Sequence, residues 1–154
     1  MNHQRQLQEA LLESWMAMEV CIRGNRLLSD LSMNEMLICN ILYQRRDEAP
    51  VTATELCSQT KLLKSQMNHI LNTMEYQGLI CRSRSSADRR QVYVRLQESA
   101  IPRYLQEHDR VLKIVGAVLS TLGEKDTVAL TGLMQKAAFI VNSIKEDPQC
   151  QSKS

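Results

Sequence analysis

The stretch Lys64 to Leu96, KSQMNHILNTMEYQGLICRSRSSADRRQVYVRL, changes period at Gly78, and that change decides the fold. Before the glycine, Met67, Ile70, Leu71 and Met74 fall at i, i+3, i+4 and i+7, which is one face of a helix. Gly78 stands where such a helix needs a left-handed cap. After it the pattern alternates. Ile80, Arg82 and Arg84 take one side against Leu79, Cys81 and Ser83, and then Val92, Val94 and Leu96 oppose Tyr93 and Arg95. The link between the two runs, Ser85-Ser86-Ala87-Asp88-Arg89-Arg90, is polar and rich in turn formers, so the pair reads as an antiparallel hairpin with a basic tip.

Working upstream, Thr52-Ala53-Thr54-Glu55 carries the threonine and glutamate of a capping box, in which each side chain satisfies the other residue's free amide. It opens a short helix bearing Leu56 and Cys57, which breaks near Thr60 to Leu63 before the helix of Met67. The same start signal occurs at Ser32-Met33-Asn34-Glu35, and apolar residues then run to Tyr43, so that helix reads as well buried. Further out, Leu7, Leu11, Trp15, Met18, Ile22 and a later Leu28 mark an amphipathic N-terminal helix. A long stripe of Leu105, Leu112, Val115 and Leu119 is broken by Gly123, and a last one follows through Leu130, Leu133, Met134, Ala137, Val141 and Ile144. Beyond Pro148 no periodicity remains, and residues 148–154 are expected to be a disordered tail.

Two short helices joined by a tight turn and followed by a basic hairpin make a winged helix-turn-helix. The expected fold class is mainly α with a small antiparallel hairpin. Residues 31–98 form the winged unit, and residues 1–30 and 99–147 form a helical dimerisation region.

Charge supports that reading through its distribution. The whole 154-residue chain carries a net charge of only +2, but Lys61 to Arg95 holds seven cations against Glu75 and Asp88, and the remainder is net acidic. A compact basic block on an otherwise acidic chain is the footprint expected for phosphate contact. With the apolar face of its helix turned inward, Lys64, Ser65, Gln66, Asn68, His69 and Asn72 are left outside. Asn and Gln pair bidentately with adenine, and Ser or Lys reaches bases or phosphates. These six are the expected base-contacting residues, and Arg82, Arg84, Asp88, Arg89 and Arg90 the expected wing and phosphate residues.

Other chemistries find little support. Five cysteines, Cys21, Cys39, Cys57, Cys81 and Cys150, are odd in number and never form C-x-x-C, so most are expected to be small buried apolar residues. His3, His69 and His108 lack the helical i+3 or i+4 partners of a zinc site, so neither metal nor cofactor is expected. No phosphate loop, H-E-x-x-H or nucleophile beside a base is present, and no catalysis is expected. No uninterrupted apolar run reaches the roughly 20 residues of a membrane span, so the expectation is a cytoplasmic protein without membrane contact.

The wing resembles that of the MarR family of bacterial winged-helix regulators. There the family shows D-x-R, five residues, then L-T, and Asp88, Arg90 and Leu96 match, with Gln97 in place of the threonine. That threonine usually caps the next helix, so Ser99 before Pro102 is the alternative cap here. The family's Leu-x-x-x-Gly-Leu-Ile is present with Met74 in the leucine place, followed by Gly78-Leu79-Ile80. The resemblance runs from about Leu31 to Leu105.

It implies that Asp88 pairs with an arginine to hold the wing, and that either Arg89 or Arg90 enters the minor groove of double-stranded DNA. It also implies a two-fold homodimer built from the terminal helices, acting as a sequence-specific repressor on a near-palindromic operator. Release would come from a small aromatic or lipophilic effector, with Trp15, Met18, Met36 and Tyr43 as candidate pocket residues, or through oxidation of Cys21. The competing class is a protein-interaction module in which the basic hairpin meets an acidic protein.

Overall fold

The structure, a computed structural model, describes residues 2–24 and 30–145. Its elements in chain order are α1 (His3–Gly24), α2 (Met33–Gln44), β1 (Val51–Thr52), α3 (Ala53–Thr60), α4 (Lys64–Tyr76), β2 (Ile80–Arg84), β3 (Val92–Leu96), α5 (Ile101–Leu122) and α6 (Glu124–Lys145). Two compact units are formed, one within residues 1–111 and one within residues 112–154. Leu28 and the segment 148–154, with Cys150, lie outside the described residues.

Both capping boxes form. The Ser32 amide donates to Glu35 Oε2 at 2.7 Å while the Glu35 amide donates to Ser32 Oγ at 3.2 Å. Thr52 and Glu55 repeat the exchange at 2.7 and 3.1 Å, fixing where α3 begins. The Thr52 backbone amide, donating to the Glu55 carboxylate, and the neighbouring Arg45 hold the Glu55 carboxyl below its ordinary value, against opposing desolvation. Between α3 and α4 the chain turns at Lys61, whose φ of 58° lies in the left-handed region that non-glycine residues rarely enter. Helix α4 ends in a Schellman motif: Gly78 has φ 72°, its amide donates to Glu75 O at 3.0 Å, and the Leu79 amide donates to Met74 O at 2.9 Å.

The hairpin has the expected register, with Ile80 opposite Leu96, Arg82 opposite Val94 and Arg84 opposite Val92. A third strand joins it. β1 pairs antiparallel with β3 through Val51↔Val94 and Thr52↔Tyr93, giving the order β1-β3-β2. Two residues are too few to show alternation, and their partners lie far along the chain.

The core of this unit is built from Ile38, Cys39 and Leu42 of α2, Leu56 of α3, Met67, Leu71 and Met74 of α4, Leu79, and Ile80 and Val94 of the sheet. Tyr104 of α5 closes it, with its hydroxyl donating to Asn40 Oδ1 at 2.9 Å and its ring 5.1 Å from that of Tyr43. The entry to α5 differs from expectation. Residues 98–100 form one tight 3-10 turn that contains Ser99. Gln97 anchors that turn to the sheet, its backbone amide donating to Leu79 O at 2.9 Å and its side-chain amide to Ile80 O at 3.2 Å.

The cysteines also depart from expectation, because of those described only Cys39 is buried, Cys57 is half-buried, and Cys21 and Cys81 are exposed. Burial, with a smaller contribution from the nearby Glu35 carboxylate, pushes the Cys39 thiol up to about 12.

The terminal helices carry their apolar residues on the outside. No residue of α1 is buried, and Leu11 and Trp15 are 69 and 62 % exposed. In α5 beyond Glu107, Leu112 and Val115 are exposed, and in α6 Val128, Leu133 and Phe139 are. By length and composition Glu124–Ile144 of α6 is apolar enough to cross a membrane, although it holds no uninterrupted apolar run of that length. Its apolar residues are interspersed with Thr127, Thr131, Gln135, Lys136 and Asn142, a pattern of a face to be covered by protein rather than of an all-round apolar rod.

Candidate nucleic-acid interface

The helix-turn-helix places α4 with Met67, Leu71 and Met74 buried beneath it and Lys64, Ser65, Gln66, Asn68, His69 and Asn72 all exposed. The outward face thus gathers the six residues read from the sequence. They are not equivalent. Gln66 Oε1 accepts the Leu63 amide at 3.0 Å, so it caps its own helix and keeps only its NH2 group fully free. Asn72 Oδ1 accepts from Arg82 Nη2 at 2.7 Å, which removes its acceptor from base reading. Asn68 keeps both halves of its amide, and His69 stands exposed beside it.

Arg82, expected on phosphate, has another task. From β2 it reaches back to α4, donating to Glu75 Oε2 from Nε at 3.0 Å and Nη2 at 2.6 Å, while its backbone amide donates to Glu75 Oε1 at 3.2 Å. Those bonds, with the side-chain pair foremost, hold the Glu75 carboxyl below its ordinary value, against desolvation. The one acid of the recognition helix is therefore neutralised by the wing. The sequence shows both charges but not their pairing, because residues seven apart on different elements meet only through the turn at Gly78.

The free cations lie farther out. Lys64, Arg84, Arg89 and Arg90 are exposed and form no ion pair among the described residues. Asp88, expected to pair with an arginine side chain, does not. Its Oδ1 accepts the Arg90 backbone amide at 3.0 Å, which folds the turn and leaves both arginine side chains unpaired. Four unpaired side-chain cations flank the amide-bearing face of α4, the arrangement a polyanion with readable edges requires.

The four residues read as an effector pocket are not brought together. Trp15 and Met18 are exposed on α1, Met36 is in the core, and Tyr43 is half-buried against Tyr104. A cavity of about 630 Å³ opens instead between the end of α2, β1, β3 and the start of α5, with Leu42, Val51 and Leu96 among its apolar lining and Arg45 and Arg95 among its charged lining. Cys21 is exposed, and Arg23, the cation nearest in sequence, is paired with Glu19 one turn back.

A helix-turn-helix whose second helix exposes amides, flanked by a cationic wing, defines a winged helix-turn-helix protein. Comparison with known proteins agrees. Residues 28–102 match the family described as Transcriptional regulator SarA/Rot. The HTH-type transcriptional regulator MgrA of Staphylococcus aureus is 28 % identical over 120 residues, 76 % of each chain. The transcriptional regulator BldR from Sulfolobus solfataricus superposes with a TM-score of 0.70 at 22 % identity, covering 90 % of this chain and 99 % of that one. The repressor CouR, solved on a 23-mer DNA duplex, superposes with a TM-score of 0.65 at 19 % identity, covering 89 and 92 %. The chain is thus similar to winged-helix transcriptional regulators of the SarA and MarR types and shares their fold.

Proposed function

We propose that the protein is a cytoplasmic homodimer that binds a near-palindromic operator in duplex DNA and acts as a repressor released by a small aromatic or lipophilic effector. The observation that carries the DNA reading is the exposed face of α4, with Asn68 and His69 free, set beside the unpaired Arg84, Arg89 and Arg90. Asn68 is suited to reading a base edge in the major groove, and the wing arginines to the phosphates and the narrow minor groove. MgrA is named as a transcriptional regulator and CouR as a repressor bound to DNA, which supports the same assignment for this chain.

Dimerisation rests on the terminal helices, residues 1–30 and 99–147. α1, α5 and α6 together leave Leu11, Trp15, Val115, Leu133 and Phe139 in solvent, more apolar surface than a soluble monomer keeps. A second copy covering these faces sets two α4 helices about 34 Å apart, one turn of DNA. The experiment is selection of bound duplexes from a random pool. The expected result is a near-palindrome with half-sites about 10 base pairs apart, and a single asymmetric site, or no enrichment, contradicts the reading.

A further inference from the structure

With no arginine pair at Asp88, the order of the wing tip must come from another group. At the end of β2, Ser85 is 5 % exposed, the most buried polar residue of the hairpin. Its Oγ accepts from the Ala87 amide at 3.2 Å, the Asp88 amide at 3.3 Å and the Tyr93 hydroxyl at 3.3 Å. Its own amide donates to Gln91 O at 3.0 Å, and the Gln91 amide returns to Asp88 O at 3.0 Å. With the Arg90 amide on Asp88 Oδ1, the amides of Ala87, Asp88, Arg90 and Gln91 are all committed inside the turn, and every link passes through Ser85 or Asp88.

We propose that Ser85 is the positioning residue of the wing: its buried hydroxyl ties the tip backbone to Tyr93 of β3 and so pre-orders Arg89 and Arg90. This rests on the DNA-binding reading above and adds the group on which the geometry of the wing depends. The choice of a hydroxyl has a physical consequence. An exposed Asp–Arg pair weakens as salt rises, whereas a hydroxyl enclosed between two strands does not, so the tip keeps its shape at the ionic strengths that loosen its grip on phosphate.

The test uses the full-length protein. In the free state, backbone order parameters are measured for residues 86–90 in the native chain, Ser85→Ala, Ser85→Thr and Tyr93→Phe, at low and high salt. Native values near those of rigid backbone, about 0.85, are expected at both, falling toward about 0.6 in Ser85→Ala, partly in Tyr93→Phe and not in Ser85→Thr. On duplex DNA, Ser85→Ala is expected to bind roughly tenfold more weakly, because the tip must then be ordered on binding, with the base preference set by α4 unchanged. Thermal unfolding confirms that each variant folds. Unchanged order parameters in Ser85→Ala, or DNA binding equal to that of the native chain, overturns the proposal. If the native protein leaves duplex DNA unbound, the DNA-binding reading fails, and the order parameters alone decide the role of Ser85.

Discussion

Replacing Glu75 by glutamine removes the carboxylate that binds the recognition helix α4 to strand β2 while keeping the size of the side chain. Three hydrogen bonds from Arg82 end on that carboxylate, at 2.6, 3.0 and 3.2 Å. Hydrogen bonds to charged groups contribute about 1.5–3 kcal/mol when sheltered, and exposed ion pairs contribute only about 0.2–1 kcal/mol. With the two side chains 26 and 40 % exposed, the pair sits between these limits, and about 1 kcal/mol is the expected loss for Glu75→Gln. For a chain of 154 residues that lowers Tm by about 2–4 °C, measured at one fixed protein concentration because the proposed dimerisation would also move Tm.

The pH dependence gives a second reading of the same bond. The folded-state pKa of Glu75 is lowered, so its contribution is complete above the ordinary carboxylate range and is lost as pH falls through the folded value. The gap between native and Glu75→Gln should therefore close on acidification. A double-mutant cycle with Arg82→Met should return a coupling of about 1 kcal/mol at neutral pH. Equal Tm at neutral pH, or a gap that stays constant into acid, refutes the claim that this pair holds the helix and wing together.

Other expectations follow from single positions. Lys61 has φ 58°, so Lys61→Gly should stabilise the fold by about 0.5–1 kcal/mol in thermal unfolding, the relieved strain exceeding the entropy added to the unfolded chain; destabilisation counts against the left-handed turn. Removing the cap of α3 with Thr52→Ala should lower stability by about 1 kcal/mol, and an unchanged denaturation midpoint contradicts the capping box. Because its thiol is buried and raised to about 12, Cys39 should resist alkylation near pH 8 in the folded protein and react on unfolding, as mass spectrometry of the modified peptides can show.

Sequence reading succeeds where a feature is local. The two capping boxes, the period of α4 and the stop at Gly78 are each decided within a few residues, and all appear in the structure. It fails where distant residues decide. β1 exists because Val51 finds Val94, and two residues leave no pattern to read. Arg82 falls among the expected phosphate-binding residues because sequence reports its charge and not its partner, and only the fold shows Glu75 and Asn72 taking its donors.

Asp88 illustrates the same limit within one turn, since a carboxylate beside two arginines suggests an ion pair and the folded turn gives it a backbone amide instead. Apolar stripes are ambiguous in another way. α1 and α2 both read as rich in Leu, Ile and Met, yet α2 is built into the core while α1 has no buried residue in its own chain. Periodicity identifies a face that must be covered without stating what covers it.

The most direct test of DNA binding is the salt dependence of affinity for duplex DNA, compared between the native protein and an Arg84→Ala/Arg89→Ala/Arg90→Ala variant. Log K is expected to fall linearly with log salt, with a steep slope in the native protein that becomes shallower in the variant by about 0.9 for each phosphate no longer neutralised. A native protein that binds without a salt slope, or a variant whose slope matches the native one, contradicts the assignment.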